Sequence, residues 1–165
     1  KLHYVSLCAM DHADFKKPGF YSYEELITTA RKLKLKRADV TDLYRRMVFN
    51  VIARNHDDHS KNFGFILDSE SARWRLSPAF DVAYSYKVDS PWVSQHQLSI
   101  NGKRDVITRH DLLSVATLLN NFELEAKEII TNIRQVVMSW RDYASQAGVF
   151  DWFINEIEKN HRTNI

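Results

Sequence analysis

The sequence predicts a mainly α-helical domain carrying one small β-hairpin. Three observations lead there. Apolar residues recur at helical spacing over 26–33, 40–52, 112–119 and 126–143. Two short runs, 63–67 and 73–76, flank a polar turn and read as paired strands. A chain of 165 residues with 44% apolar content is long enough for one core that folds without disulfides.

Residues 14–21, holding Pro18 and Gly19, read as a loop. Ser22 with Glu25 three residues on makes a capping box, and Leu26, Ile27, Ala30 and Leu33 follow as a helical stripe. The clearest helix comes next: Val40, Leu43, Tyr44, Met47, Val48, Val51 and Ile52 share one face, with Arg45 and Arg46 off it. Eight consecutive polar residues, Asn55-His56-Asp57-Asp58-His59-Ser60-Lys61-Asn62, then break the pattern. The hairpin follows, with 68–72 as its turn, and Ser77-Pro78 closes it and delivers Ala79-Phe80-Asp81. Residues 89–102 contain Pro91 and read as loop with one short strand, ending in the turn pair Asn101-Gly102. Leu112, Leu113, Ala116 and Leu119 predict a helix from Thr108. Ala126, Ile129, Ile130, Ile133, Val136, Val137, Trp140 and Tyr143 predict one long helix stopped near Gly148, and 151–159 a last one.

Composition excludes several functions. Only Gly19, Gly64, Gly102 and Gly148 occur, and no two are spaced as G-x-G-x-x-G or as a P-loop. Phosphate, if handled, is handled without a glycine cradle in these residues. Twenty-three basic against twenty-one acidic side chains give +2, too balanced for a nucleic-acid footprint. The single Cys8 excludes an internal disulfide and suits a reducing cytoplasm. No apolar run approaches the ~18 residues of a membrane span, and no signal-peptide pattern opens the chain. The chain starts at Lys1 without a cap or turn signal, which predicts a trimmed tag or a piece of a longer protein.

The polar octet carries the chemistry. A solvated loop with Asp and Asn as helix caps is the plain reading. Against it, the octet is mounted between apolar elements, Asn62 follows Asp57 by five residues, and Asp81 comes directly after the hairpin. Phosphoryl transfer asks for this set. One carboxylate accepts the proton of the attacking hydroxyl, and hard oxygen ligands hold Mg²⁺ against the phosphates. Protein kinases place a catalytic Asp, an Asn five residues later, and a metal-binding Asp after a hairpin, in that order.

The strings VFNVIARNHDDHSKNFGF, WRLSPAFDVAYS and LSINGKRDVITRHDLLSVA, with LHYVSL and SYEEL before them, resemble the C-terminal region of HipA-family serine/threonine kinases, the toxins of HipBA-type modules. The resemblance runs from the first residues to about Ala116 and implies a protein-kinase-like helical C-lobe. It further implies Asp57 as catalytic base and Asn62 and Asp81 as Mg²⁺ ligands, with ATP as phosphoryl donor. His59, where ordinary protein kinases carry a lysine, would contact the transferring phosphoryl group or the loop backbone, and Lys61 would add positive charge. Two departures separate the chain from eukaryotic-type kinases: no Arg precedes Asp57, and Val82-Ala83 follows Asp81. Asp58 is left with loop stabilisation. Neither Lys1 nor the lysines around Lys34 sit in a V-A-I-K-like strand. By resemblance, an upstream N-terminal lobe would carry the phosphate loop, the strand lysine and the adenine hinge. The implied partners are a protein substrate in the translation machinery, such as an aminoacyl-tRNA synthetase, and a HipB-type helix-turn-helix antitoxin that binds operator DNA.

Three other readings stay open. A small-molecule kinase of aminoglycoside or choline type would use His56-Asp57 and Asn62. A metal phosphohydrolase would take His56-Asp57 as a doublet, with His12 and Asp105 or Asp111 as further ligands. A non-catalytic helical module would only dock a partner. Lys32, Lys34, Lys36 and Arg37 read as cations at a helix C-terminus. His3, His12, His96 and His110 read as surface or capping residues, and the tryptophans as core or interface anchors, with Trp92 exposed.

Overall fold

The structure is a computed structural model that describes residues 2–12 and 14–165; Lys1 lies outside them. The chain opens as a strand, β1 (His3–Ser6), and a single helical turn, α1 (Leu7–Met10). Helices α2 (Tyr23–Lys32) and α3 (Arg37–Ile52) come before the octet. The hairpin β2 (Gly64–Asp68) and β3 (Arg73–Leu76) comes after it, and α4 (Arg109–Ala116), α5 (Glu123–Met138), α6 (Trp140–Gln146) and α7 (Asp151–Asn160) complete the chain. A mainly helical domain with a small antiparallel sheet is what the apolar periodicity predicts.

α2 starts where the capping box places it. Ser22 Oγ accepts the Glu25 amide at 3.1 Å, and Glu25 Oε2 accepts the Ser22 amide at 2.8 Å. α3 is the central element. Its stripe from Val40 to Ile52 is buried against α2 and α5, each large aliphatic side chain contributing about 1.5–3 kcal/mol on burial. Tyr44 meets the Phe122 ring edge-on, with centroids 5.1 Å apart, and its hydroxyl donates to the Leu112 carbonyl at 3.0 Å. The tyrosine therefore buries its ring without stranding its polar end.

The sheet has three strands in the order β1-β2-β3, both pairs antiparallel, with Val5 opposite Phe65 and Phe65 opposite Leu76. Gly64 lets the Tyr4 ring pack directly over the strand backbone, where a Cβ would force that ring to move. The Asn101-Gly102 turn also forms as expected. Both residues have positive φ (50° and 72°), and Ile100 and Lys103 exchange backbone hydrogen bonds across it.

Several details depart from the sequence reading. β1 has no local signal in the sequence, because its partner lies some sixty residues away. The strand expected within 89–102 reduces to isolated bridges, Ser22 with Ser99 and Ile100 with Lys103. The helix expected to run from Ala126 through Tyr143 breaks at Ser139, which ends α5 and begins α6. There the serine hydroxyl donates back to the Gln135 carbonyl at 3.3 Å, competing with the helical ladder. Past the break Tyr143 points to solvent. α4 stops at Ala116, so Leu119 falls in the turn after it. Trp74 is half-buried against the core, Trp92 is 65% exposed, as expected, and Trp152, at 69% exposed, is no core anchor. His96 is fully buried, not a surface or capping residue.

Candidate active site

The octet is not a solvated loop. From residue 56 to 61 burial alternates: His56, Asp58 and Ser60 are buried, while Asp57, His59 and Lys61 reach the surface. That is the period-two pattern of an extended segment, with polar residues on its inner side. The backbone is tied on every side. The His56 amide donates to the Ser85 carbonyl at 3.0 Å and the Ser85 amide to the Arg54 carbonyl at 3.0 Å, which lays the segment after Asp81 alongside the octet. At the far end, Leu7 donates to Phe63 at 2.8 Å and Cys8 to Ser60 at 3.1 Å. The rigid mounting expected from the flanking apolar elements is present.

The inner residues form a hydrogen-bonded network. Asp58 accepts from the Tyr23 hydroxyl at 2.8 Å, from His96 Nδ1 at 2.8 Å and from the Gln97 amide at 2.7 Å. Asn50 donates to Tyr23 at 2.9 Å, and Asn55 to Asn50 at 3.0 Å. His56 lies against His96 with ring centroids 4.1 Å apart, and its Nδ1 meets the Val93 carbonyl at 3.1 Å. A carbonyl only accepts, so Nδ1 carries the proton. Burial pushes the His56 pKa down to about 3, with the neighbouring His96 and Arg54 adding to the effect, so the imidazole is neutral. Burial, and then the charge of Asp58, push the Tyr23 hydroxyl well above its ordinary value.

Beside the octet lies a cavity of about 300 Å³ between α3, the residues leading into β2 and residues 79–82, lined among others by Asn62, Asp81, Arg46, Asn55 and Asp58. Asn62 donates its amide hydrogen to the Asp57 carbonyl at 2.7 Å. Its Oδ1 is left as the atom to offer a cation. Asp81 is exposed and sits at φ 54°, in the left-handed region that aspartate tolerates better than most residues. Two hard oxygen donors opening on one cavity fit Mg²⁺, which takes few protein carboxylates and completes its shell with water and phosphate.

The remaining expected residues are placed less centrally. Asp57 is 43% exposed, with its Oδ1 3.7 Å from His59 Nε2. It borders the cavity through its backbone link to Asn62 and is not itself part of the lining. His59 lines a small recess on another side, near Phe15 and Gln97. The Lys61 ammonium stands 3.3 Å above the Phe15 ring, so its charge is engaged there.

Arg46 lies outside the apolar stripe of α3, yet it has a structural role that the stripe does not reveal. Its guanidinium grips Asp42 (Nε at 3.0 Å, NH2 at 2.6 Å) and donates to the Ser77 carbonyl at 2.8 Å. It thereby ties α3 to the segment that delivers Asp81. The i,i+4 spacing of Asp42 and Arg46 was the available signal. The phosphohydrolase ligands do not assemble. Asp111 is held by Thr108, Asn101 and Lys103, Asp105 lies near Arg54 and Arg162, and His12 is exposed. Among the described residues, no group of three or more His, Cys, Asp or Glu is arranged to hold a metal.

Comparisons with known proteins agree with this architecture. The family model described as HipA-like C-terminal domain matches residues 1–140, reaching past Ala116, where the resemblance by residue ends. Among solved structures, a chain from the Shewanella oneidensis MR-1 toxin–antitoxin complex of HipA, HipB and operator DNA is similar, with a TM-score of 0.69 and 20% identity. The alignment covers 84% of this chain and 36% of that one, so the chain spans about a third of its structural relative. At that identity the likeness is one of fold. No curated protein matches the sequence significantly.

Proposed function

The chain belongs to the family of HipA-like C-terminal domains, and from that premise we propose that it is the C-terminal lobe of an ATP-dependent serine/threonine protein kinase, the toxin of a toxin–antitoxin module. The observation that carries this reading is the pairing of Asn62 and Asp81 on one cavity, with Asn62 bonded to the backbone of Asp57.

In this reading Asp57 orients a protein hydroxyl and accepts its proton as the oxygen attacks the γ-phosphate in line. Asn62 and Asp81 would hold Mg²⁺, which supplies charge neutralisation on the phosphates. Arg46 keeps the Asp81 segment in place from α3. A lobe N-terminal to these residues would supply the phosphate loop and strand lysine that the four glycines and the lysines here do not form. A HipB-type antitoxin, as in the Shewanella complex, is the proposed partner, an aminoacyl-tRNA synthetase a candidate substrate, and the cytoplasm the setting. Among the described residues no helix is long and apolar enough to cross a membrane.

Titrating MgATP into the isotope-labelled 165 residues tests the site. Weak binding that shifts the Asp57, Asn62 and Asp81 signals supports it. No shift here, together with no ATP consumption by the full-length protein, would leave a partner-docking module as the better reading.

A further inference from the structure

Asp58 has no assigned role in the chemistry above, yet it borders the same cavity and is held by three hydrogen bonds. Its carboxylate is fully buried and accepts three hydrogen bonds, from residues 35, 38 and 39 positions away in sequence. Tyr23 opens α2 and is itself fixed from α3 by Asn50. His96 and Gln97 belong to the long segment that follows Asp81. Two separate parts of the fold, α2 and the segment after Asp81, therefore converge on the residue next to Asp57, with α3 bracing the first.

We propose that Asp58 and His96 form a positioning pair that aims the Asp57 carboxylate at the substrate hydroxyl. In an extended segment, neighbouring side chains point to opposite faces. Clamping Asp58 inward turns Asp57 outward, and the Asn62 amide on the Asp57 carbonyl removes the remaining rotation. A carboxylate only accepts, so His96 presents Nδ1–H to it, while His96 Nε2 has no partner. An apolar pair of similar volume would serve packing alone at least as well. What the polar pair adds is direction. The inference rests on the kinase reading, because it assigns Asp57 a proton to accept.

The test uses the full-length protein and γ-labelled ATP, counting transfer to any acceptor, including water and the protein's own hydroxyls. Asn places its amide nitrogen where His Nδ1 stands, and Gln places it where Nε2 stands. His96→Asn should keep kcat within about threefold, while His96→Gln and Asp58→Asn should each lose about a hundredfold. The KM for ATP should stay within about threefold, since both side chains are fully buried and bonded to each other. The double variant Asp58→Asn/His96→Gln should be no slower than its slower parent, because both changes break one hydrogen bond. Thermal melting identifies folded variants, and if Asp58→Asn does not fold, the His96 pair decides. Wild-type kcat in folded Asp58→Asn or His96→Gln overturns the inference, as does equal loss in both His96 variants. Failure of the kinase reading looks different: the wild type consumes no ATP, or Asp57→Ala consumes it at the wild-type rate.

Discussion

The side-chain amide of Asn62 donates to the backbone carbonyl of Asp57 across 2.7 Å, joining the two ends of the hexapeptide that carries both residues. One residue thus closes the loop with its nitrogen and keeps its oxygen for the cavity. Asn62→Asp replaces the donor with a second acceptor facing that carbonyl. The expected result is a loss of about 1–3 kcal/mol in denaturant unfolding, together with loss of phosphoryl transfer in the full-length protein. An unchanged midpoint would mean that the bond contributes nothing to the loop.

Asp81 sets function against stability. At φ 54° it occupies the left-handed region, where a residue with a Cβ pays roughly 1 kcal/mol relative to glycine. Asp81→Gly should raise the melting temperature while abolishing transfer, and Asp81→Ala should lower both. A destabilised Asp81→Gly would show that the carboxylate makes stabilising contacts outweighing its backbone cost.

His56 makes stability depend on pH. Its pKa is about 3 in the folded chain against 6.5 for the free side chain, so between those values the unfolded state binds the extra proton. Stability from this residue is complete above pH 6.5 and falls as pH drops toward 3, by up to about 1.4 kcal/mol per pH unit. His56→Asn retains an amide nitrogen toward the Val93 carbonyl and does not titrate. Urea unfolding from pH 7 to 5 should be steeper in pH for the wild type than for this variant. Equal slopes would place the acid sensitivity elsewhere.

Asp111 is a second buried carboxylate with full partners. It caps α4 through the Thr108 amide and hydroxyl (2.8 and 2.7 Å) and also receives Asn101 and Lys103 (2.8 and 2.9 Å). Burial alone would raise its pKa, but the hydrogen bonds from Thr108, Asn101 and Lys103 outweigh that and hold it well below the ordinary value. Asp111→Ala should cost about 1–3 kcal/mol by leaving the Thr108 and Asn101 donors unpaired, and Thr108→Ala about 1 kcal/mol. Thermal denaturation of the two variants checks the order.

Local chemistry made much of this fold readable. The Ser22–Glu25 box, the α3 stripe and the Asn101-Gly102 turn each depend on residues within a few positions of one another. β1 was not readable, because its hydrogen bonds go to residues 64–67. The site divides the same way. Spacing brought Asp57, Asn62 and Asp81 into one argument, and the structure sets two of them on one cavity. The burial of His56, Asp58 and His96 was hidden, since polar residues on an inner face contradict the hydropathy pattern that sequence reading relies on. The scarcity of glycine excluded a phosphate cradle in these residues but did not exclude metal ligands for a nucleotide.

The most direct measurement is γ-phosphate transfer from ATP by the full-length protein and its Asp57→Ala variant, with ATP affinity measured alongside. Transfer by the wild type that the variant loses by about a hundredfold or more, at an ATP affinity that stays within about threefold, is the predicted result. Transfer by Asp57→Ala at the wild-type rate would contradict the assignment of this site.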